Sequence, residues 1–341
     1  MSNIHLMFHV ISDTTLNGMG KIYDAAESKN YSCTLLIEKH VKYKGPKNKI
    51  ILNDYSWPHH KILRIFKNRF PKLQFYLGKL IDFIRFYNDH QNNDLKRIKE
   101  WTKIQKMKEH EIKKLLKLHR PSSVYVAGDR HEYCESAIIK ISNLLKIPVI
   151  VPPLGFKSGY EALLMQKRKS LKNQNIVSKD NAFKKKYPYQ WIHDNITGED
   201  ILYFQKWLVH AKDKCKVLPK NPWVIGSSDS VNCLAEGQME YERLINGGVS
   251  SKRIKISGSI EHDVLYNSFL NKKSLKKNIF DLYSLNASHK TILVALPQTL
   301  EHSILPEKEH WELQEFICEQ VSKTGENVLL SLHPKMDYSK Y

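Results

Sequence analysis

Residues 124–155 read VYVAGDRHEYCESAIIKISNLLKIPVIVPPLG, an apolar run, a longer amphipathic segment and a second apolar run. The first run, Ser123–Val126, is short and β-branched, which predicts a buried strand. The second, Ile147–Val151, stops at Pro152-Pro153. The intervening segment has helical apolar spacing, carried by Ala137, Ile138, Ile141, Leu144 and Leu145. This order predicts a right-handed βαβ unit.

The chain opens with a similar arrangement. Ile4–Ile11 is a continuous apolar run, as expected of a parallel strand buried on both faces. We expect a polar, glycine-containing turn at Ser12–Gly20, a short helix to Ser28 and a second strand at Ser32–Glu38. Repetition of strand, helix and strand predicts an α/β fold with an open, doubly wound sheet.

Further along the chain, the pattern predicts a second domain. After the apolar segment Trp223–Ser227 and a helix over 234–244, residues 267–289 are rich in Lys, Asn and Ser and predict a linker. A strand (291–296), a helix (311–323) and another strand (327–332) follow. We therefore expect an N-terminal Rossmann-like domain over 1–266, a linker over 267–289, and in 290–341 the start of a C-terminal Rossmann-like domain that this chain leaves incomplete.

Charge is strongly localised. The 341 residues include 54 Lys and Arg against 35 Asp and Glu, a net charge of +19. Residues 61–120, predicted to be a helical insertion, hold 17 basic and 6 acidic residues, and residues 157–190 hold 9 and 2. Such a balance favours anionic partners: nucleotide phosphates, nucleic acid or an acidic membrane surface. No helix-turn-helix, zinc-finger or RNA-recognition signature supports the nucleic-acid alternative.

The membrane alternative depends on the segment Leu73–Tyr87. Its polar and apolar residues recur at helical spacing, which predicts a helix with one polar and one apolar side. It either docks on anionic lipid as a peripheral contact on the inner membrane face or packs into the core of the first domain. No apolar run reaches the 18–20 residues or so that span a bilayer. The first residues, MSNIHLMFHVISD, lack the basic region of a signal peptide.

Cysteine and histidine spacing argues against a disulfide framework or a metal centre. The five cysteines are scattered without a CxxC pair, which indicates a reduced, cytoplasmic compartment. His131, His262 and His302 have no partner at metal-ligand spacing, so no metal is expected.

Four polar or glycine-containing segments follow predicted strands, where open α/β sheets bind ligands. They are Ser12–Gly20, Gly128-Asp129, Pro152–Gly159 and His333-Pro334. Together they resemble the pattern of the hydrolysing UDP-N-acetylglucosamine 2-epimerases. The matching positions are Gly128, Asp129, Ile147, Pro148, Val149, Gly155, Glu161 and Arg168, then Gly248, Arg253, Ile254, Gly258 and Asp263, with His333 in the second domain.

The resemblance implies a GT-B fold, two Rossmann-like domains facing a cleft, with a nucleotide-sugar as substrate and no cofactor. Two departures keep the reaction open. Pro152-Pro153-Leu154-Gly155 stands where the family has Val-Glu-Ala-Gly, and Pro297-Gln298-Thr299 stands where it has a His-Arg pair. Leu332–Lys335 (Leu-His-Pro-Lys) is similar to the His-Pro motif of bacterial capsule and teichoic-acid transferases, which use a lipid-linked or glycan acceptor.

Each predicted site residue has a functional and a structural interpretation. Asp129 acts as a general base, holds a sugar hydroxyl, or caps the following helix. Glu161 is a second acid/base or an exposed helix residue, and His333 binds a diphosphate or sugar oxygen or closes a turn. The expected substrate-binding residues are Gly18, Gly20, Gly128, Arg130, Gly155, Gln298 and Pro334.

Two enzymatic hypotheses follow. One is cleavage of the anomeric C–O bond of a nucleotide-sugar for bacterial surface-polysaccharide precursors. The other is sugar transfer in capsule or lipopolysaccharide assembly. A homodimer is expected in either case. On either hypothesis, Asp129→Asn should keep the fold and abolish turnover.

Overall fold

The computed structural model describes residues 4–53, 94–154, 160–169, 175–301, 304–332 and 336–340. The described residues form a mixed α/β structure, which confirms the predicted fold class. The chain divides into two compact units, 1–262 and 263–341. Most of the predicted basic insertion, 61–93, and with it the segment Leu73–Tyr87, lies outside the described residues.

The first unit is built on a seven-stranded parallel sheet. Its strand order is β3-β2-β1-β4-β5-β8-β9, so the direction of winding reverses between β1 and β4. The strands are β1 (His5–Val10), β2 (Ser32–Ile37), β3 (Lys49–Ile51), β4 (Ser123–Tyr125), β5 (Val149–Val151), β8 (Asn232–Ala235) and β9 (Ile254–Ile256). The predicted strands at 4–11, 32–38, 123–126 and 147–151 are thereby confirmed.

Helices cover both faces of this sheet. On one face Leu6, Phe8 and Val10 of β1 pack with Met19 and Tyr23 of α1. On the other face, apolar residues of β1, β4 and β5 pack against three other helices. The helices of the first unit are α1 (Asp13–Glu27), α2 (Asp94–His119), α3 (Glu135–Leu144), α4 (Tyr160–Lys169), α5 (Asn181–Lys186), α6 (Lys206–Lys214) and α7 (Gln238–Asn246). Burial on both faces explains why Leu6, Met7, Phe8 and Val10 of β1 are apolar.

A smaller cluster joins the N-terminal half of α2 to α5, α6 and an antiparallel hairpin. The hairpin comprises β6 (Trp191–Asp194) and β7 (Glu199–Leu202) and was not predicted. Its apolar core includes Trp101, Phe183, Leu202, Phe204 and Leu208.

The second unit contains the parallel pair β10 (Thr291–Ala295) and β11 (Asn327–Ser331), with α10 (Glu307–Ser322) between them in sequence. These elements confirm the predicted strand–helix–strand order. The predicted linker at 267–289 is wrong, because α8 (Ile260–Leu270) and α9 (Lys272–Leu282) occupy most of it. Lys, Asn and Ser were taken as loop residues there, although Lys is a good helix former.

One other prediction is wrong for a local physical reason. The segment Ser12–Gly20 is not a turn, because Ser12 caps α1 and exchanges side-chain hydrogen bonds with Thr15 in a capping box. The apolar segment Trp223–Ser227, for which the sequence predicted no element, contains no strand, and Gly226 within it adopts a positive φ of 88°. The strand of this region is β8, nine residues after Trp223.

Lys212 of α6 is fully buried against aromatic rings. Its Nζ lies 4.6 Å from the ring centroid of Phe204 and 5.5 Å from that of Trp101. In the part of the chain that the structure describes, this Nζ has no hydrogen-bond partner. Burial lowers the pKa of Lys212 to about 8, from an ordinary value of 10.5. Protonated Lys212 therefore opposes folding.

We expect Lys212→Met to raise the free energy of unfolding at pH 7. In the native chain Lys212 loses its proton near pH 8, whereas the unfolded chain keeps it up to 10.5. Stability should therefore rise with pH across this window, and the rise should vanish in the variant. Urea denaturation from pH 7 to 10.5 measures both effects. Lys214→Met, which changes an exposed lysine of the same helix, is the control and should leave the pH slope intact.

Candidate functional site at the carboxyl edge of the sheet

The carboxyl ends of β1 and β4 are adjacent in the sheet, but the chain leaves them toward opposite faces. Open parallel sheets bind ligands in the crevice that this reversal creates. The residues after β4, 126–134, are called here the edge loop. The edge loop carries Gly128, Asp129 and Arg130, three of the predicted site residues.

Asp129 is buried, with 2% of its surface exposed. Its two carboxylate oxygens accept hydrogen bonds from the backbone amides of Gly226 (2.9 Å) and Ser228 (2.7 Å). The N-cap position of α3 is Cys134, so Asp129 is not the helix cap. Its carboxylate fastens the edge loop to residues 226–228, and both of its oxygens are already engaged.

Buried charges from two other elements hold the far end of the edge loop. Lys108 of α2 donates through Nζ to the carbonyl oxygens of Glu132 (2.9 Å) and Tyr133 (2.8 Å). Glu38, directly after β2, accepts from the backbone amide of Cys134 (2.8 Å) and from Nε2 of His9 (2.9 Å). The backbone of the loop is therefore fixed by charge-assisted hydrogen bonds, which are stronger than neutral ones.

The ionised form of Glu38 is favoured despite its burial. Burial raises the pKa of Glu38, but the hydrogen bond and charge of His9, the Cys134 amide and the charge of Lys108 lower it further. The net result is a pKa below the ordinary value of 4.5. Glu38 is thus an anion at neutral pH and serves as a fixed acceptor in this network.

His131 and Glu135 form the second charged pair of the edge loop. The Nδ1 of His131 donates to Glu135 at 2.9 Å, and Glu135 is fully buried while about a third of the His131 side chain (34%) is exposed. Gly128 makes room for this ring, since a Cβ at that position would lie 3.3 Å from Cε1 of His131. Because Nδ1 is engaged, Nε2 is the ring nitrogen left for a ligand.

Glu135 changes the proton affinity of His131. Burial alone would lower the pKa of His131, but the charge and the hydrogen bond of Glu135 raise it above the ordinary value of 6.5. A histidine oriented by a buried carboxylate is the arrangement of a general acid/base. The sequence prediction missed this pair, although the four-residue spacing of His131 and Glu135 was a visible signal.

Arg130 has a structural contact of its own. Its Nη1 donates to the carbonyl oxygen of Pro222 at 3.0 Å, and its guanidinium lies 5.2 Å from the ring centroid of Tyr203. The Nζ of Lys167 lies 4.2 Å from the same centroid. Burial, and then the charge of Arg130, lowers the pKa of Lys167.

Glu161 is not brought to Asp129 by any contact among the described residues. It lies in the first turn of α4 with 90% of its side chain exposed, and its one ion pair is a long one to Arg168 (3.9 Å). Arg168 instead donates two hydrogen bonds to the buried Asp194, at 2.6 and 2.8 Å. Arg168 lowers the pKa of that carboxyl far below its ordinary range.

The remaining predicted residues lie elsewhere. Gly18 and Gly20 are inside α1, so they are not a ligand loop; a Cβ on Gly18 would meet Cδ2 of Leu154 at 2.6 Å, which makes Gly18 a packing position. Gln298 follows β10 in the second unit, beside the contact between Thr299 Oγ1 and His310 Nδ1 (2.6 Å). Gly155, His333 and Pro334 lie outside the described residues.

Two other classes of feature are missing from the described part of the chain. It contains no cluster of three or more His, Cys, Asp or Glu side chains placed to hold a metal ion. None of its helices combines the length and the apolar character needed to cross a bilayer.

No protein-family model matches this chain, and no curated protein matches it. Among solved structures, it is similar to UDP-GlcNAc 2-epimerases from Methanocaldococcus jannaschii (14% identity, TM-score 0.44) and Neisseria meningitidis, the latter bound to UDP-GlcNAc (12%, 0.41). A third is the UDP-N-acetylglucosamine 2-epimerase from Rickettsia bellii (13%, 0.37). Each similarity covers 97% of this chain but only 66%, 66% and 62% of the other. Similarity at this level assigns neither a family nor an activity.

Asp129→Asn should destabilise the first unit, contrary to the expectation from sequence. An amide offers one acceptor oxygen, and its NH2 group would face a backbone N–H, leaving a buried donor unsatisfied. We expect a loss of about 1–3 kcal/mol in the free energy of unfolding, measured by urea denaturation. Asp229→Asn is the control, because Asp229 is exposed and pairs only with Arg253 at 3.3 Å. Equal stability of the two variants would show that the Asp129 bonds are unimportant.

Glu135→Gln should lower the pKa of His131, which lies above 6.5 in the native chain. The substitution removes the negative charge of Glu135, which raises the pKa, and leaves burial and Arg130, which lower it, and Asp129, which raises it. NMR titration of the His131 ring nitrogens measures the shift. The same pair makes a contribution to stability that is full below pH 6.5 and lost as pH rises through the folded-state pKa. An unchanged titration in the variant would contradict this account.

Proposed function

We propose that this chain belongs to an enzyme that binds a nucleotide-sugar at the carboxyl edge of the seven-stranded sheet and cleaves its anomeric C–O bond. The observation that carries the proposal is the His131–Glu135 pair beside Gly128-Asp129, at the point where the winding of the sheet reverses. That is the place where a nucleotide ligand of an open α/β sheet binds. The sequence resemblance to the 2-epimerases includes the neighbouring Gly128 and Asp129.

In this proposal His131 exchanges a proton at the reacting centre through Nε2. Glu135 holds the imidazole in one tautomer and stabilises its charged form, so His131 can act as an acid toward a leaving oxygen. Proton transfer of this kind contributes roughly 10²–10⁴-fold to rate. Asp129 acts as a positioning residue, because its hydrogen bonds fix the backbone on which His131 stands.

The second candidate is a glycosyltransferase that uses the same nucleotide-sugar site and a lipid-linked or glycan acceptor. The observation that favours it is the segment after β5, where Pro152 and Pro153 are buried and Leu154 packs against α1. No carboxylate stands there, whereas the 2-epimerase pattern has one. In either case we propose a cytoplasmic, homodimeric enzyme of surface-polysaccharide synthesis with peripheral contact to the inner membrane face.

Binding is tested by a thermal-shift panel of UDP, CDP, CMP, UDP-N-acetylglucosamine and a CDP-activated polyol. A ligand that binds only the folded state raises Tm by mass action, so partial occupancy is measurable. A rise with a nucleotide or its sugar conjugate supports the proposal. No rise with any of them at millimolar concentration would contradict it.

We expect His131→Gln to reduce release of nucleotide from the responding nucleotide-sugar by about 100-fold or more, since it removes the proton donor. Chromatography of the released nucleotide, with and without an acceptor, measures the rate and separates hydrolysis from transfer. His193→Gln is the matched control, because His193 also pairs with a carboxylate, Asp200 at 2.8 Å, but on the β6–β7 hairpin. Unchanged turnover in His131→Gln would remove His131 from the mechanism.

A further inference from the structure

A basic groove lies along one face of α2, away from the edge loop. It has a volume of about 1270 Å³. Its walls come from Asn53, from Lys214 of α6 and from helix positions three or four residues apart. The helix residues are Lys96, Lys99, Glu100, Thr102, Lys103, Lys106, Met107, His110, Glu111 and Lys114.

The charge in the groove is positive and largely uncompensated. Lys99, Lys103, Lys106, Lys114 and Lys214 are exposed, and none of them makes an ion pair with another described residue. Lysines without a carboxylate partner repel each other, which disfavours such a row unless an anion neutralises it.

The shape of the groove indicates an extended ligand. From Lys99 to Lys114 the helix rises by about 22 Å, at about 1.5 Å per residue. The lysines follow one helical stripe, so their charges form a line and not a cluster. A single small anion would engage two of these lysines at most, whereas a linear polyanion would engage the whole row.

The chemistry of the walls indicates what kind of polyanion. The groove residues just named include no Tyr, Trp, Phe or Arg. Single-stranded nucleic acids are usually held by aromatic rings that stack on bases, together with Arg. Lysine is a point charge that attracts phosphate without reading a base.

We propose that the groove of α2 binds a linear chain of phosphate groups that carries no bases, recognised by its charge. This inference is independent of the nucleotide-sugar site, because the groove shares no residue with the edge loop. It gives a function to lysines of the basic segment 61–120, to which none of the proposed catalytic residues belongs.

The test is fluorescence anisotropy with labelled long-chain inorganic polyphosphate at several salt concentrations. The groove variant is Lys103→Gln with Lys106→Gln. The matched control is Lys113→Gln with Lys117→Gln, which removes the same charge from exposed positions of the same helix outside the groove. Glutamine and lysine have similar helix propensity, so both variants should fold, and circular dichroism checks this.

For a single-stranded polyanion each phosphate contact adds about 0.7 to the slope of log Kd against log salt, so losing two contacts should weaken binding about 20-fold at 0.1 M salt. The control should stay near the wild-type affinity. Equal losses in both variants, or wild-type affinity in the groove variant, would overturn the proposal. Tighter binding of poly-U than of polyphosphate would also overturn the proposal and assign the groove to RNA. Lysine-dependent binding to phosphatidylglycerol vesicles without polyphosphate binding would overturn it and assign the groove to a membrane.

Discussion

The carboxylate of Asp129, buried and bonded to two backbone amides, is the contact on which the candidate site depends. The edge loop leaves a parallel strand in the interior of the sheet, where its polar backbone groups need partners other than water. Asp129 ties one end of the loop to residues 226–228, while Glu38 and Lys108 hold the other end. Breaking a buried charged contact is costly because it leaves the remaining group unpaired. Charged hydrogen bonds therefore hold the loop at both ends.

This rigidity matters for chemistry because it positions His131. Gly128 allows the imidazole to lie close to the backbone, and Glu135 at the start of α3 accepts the hydrogen bond from its Nδ1–H. A histidine that is already oriented needs little reorganisation when a substrate arrives. The buried network does not touch the substrate in this account; it fixes the group that does.

Much of the fold could be predicted from sequence because hydrophobic pattern and burial coincide. Ile4–Ile11 and Ile147–Val151 are mainly apolar, and both contain buried strands of the central sheet. The sequence pattern gave a wrong prediction where a side-chain contact favoured a different secondary structure from the one that the residue types suggested. Gly18 and Gly20 suggested a turn, but they lie in α1, which Ser12 caps.

The candidate site was predictable in its location and not in its roles. Gly128-Asp129 at a strand end pointed to the edge loop, yet the partners of Asp129 lie 97 and 99 residues further along the chain. No local pattern encodes a contact over that distance. The same limit applies to α2, whose lysines look equivalent in sequence. Lys108 is buried and holds two carbonyl groups of the edge loop, whereas Lys103 and Lys106 line a groove on another face. Helical spacing places these lysines on different faces of α2. Only the packing of α2 against the sheet determines which lysines are buried against the edge loop and which remain exposed to a ligand.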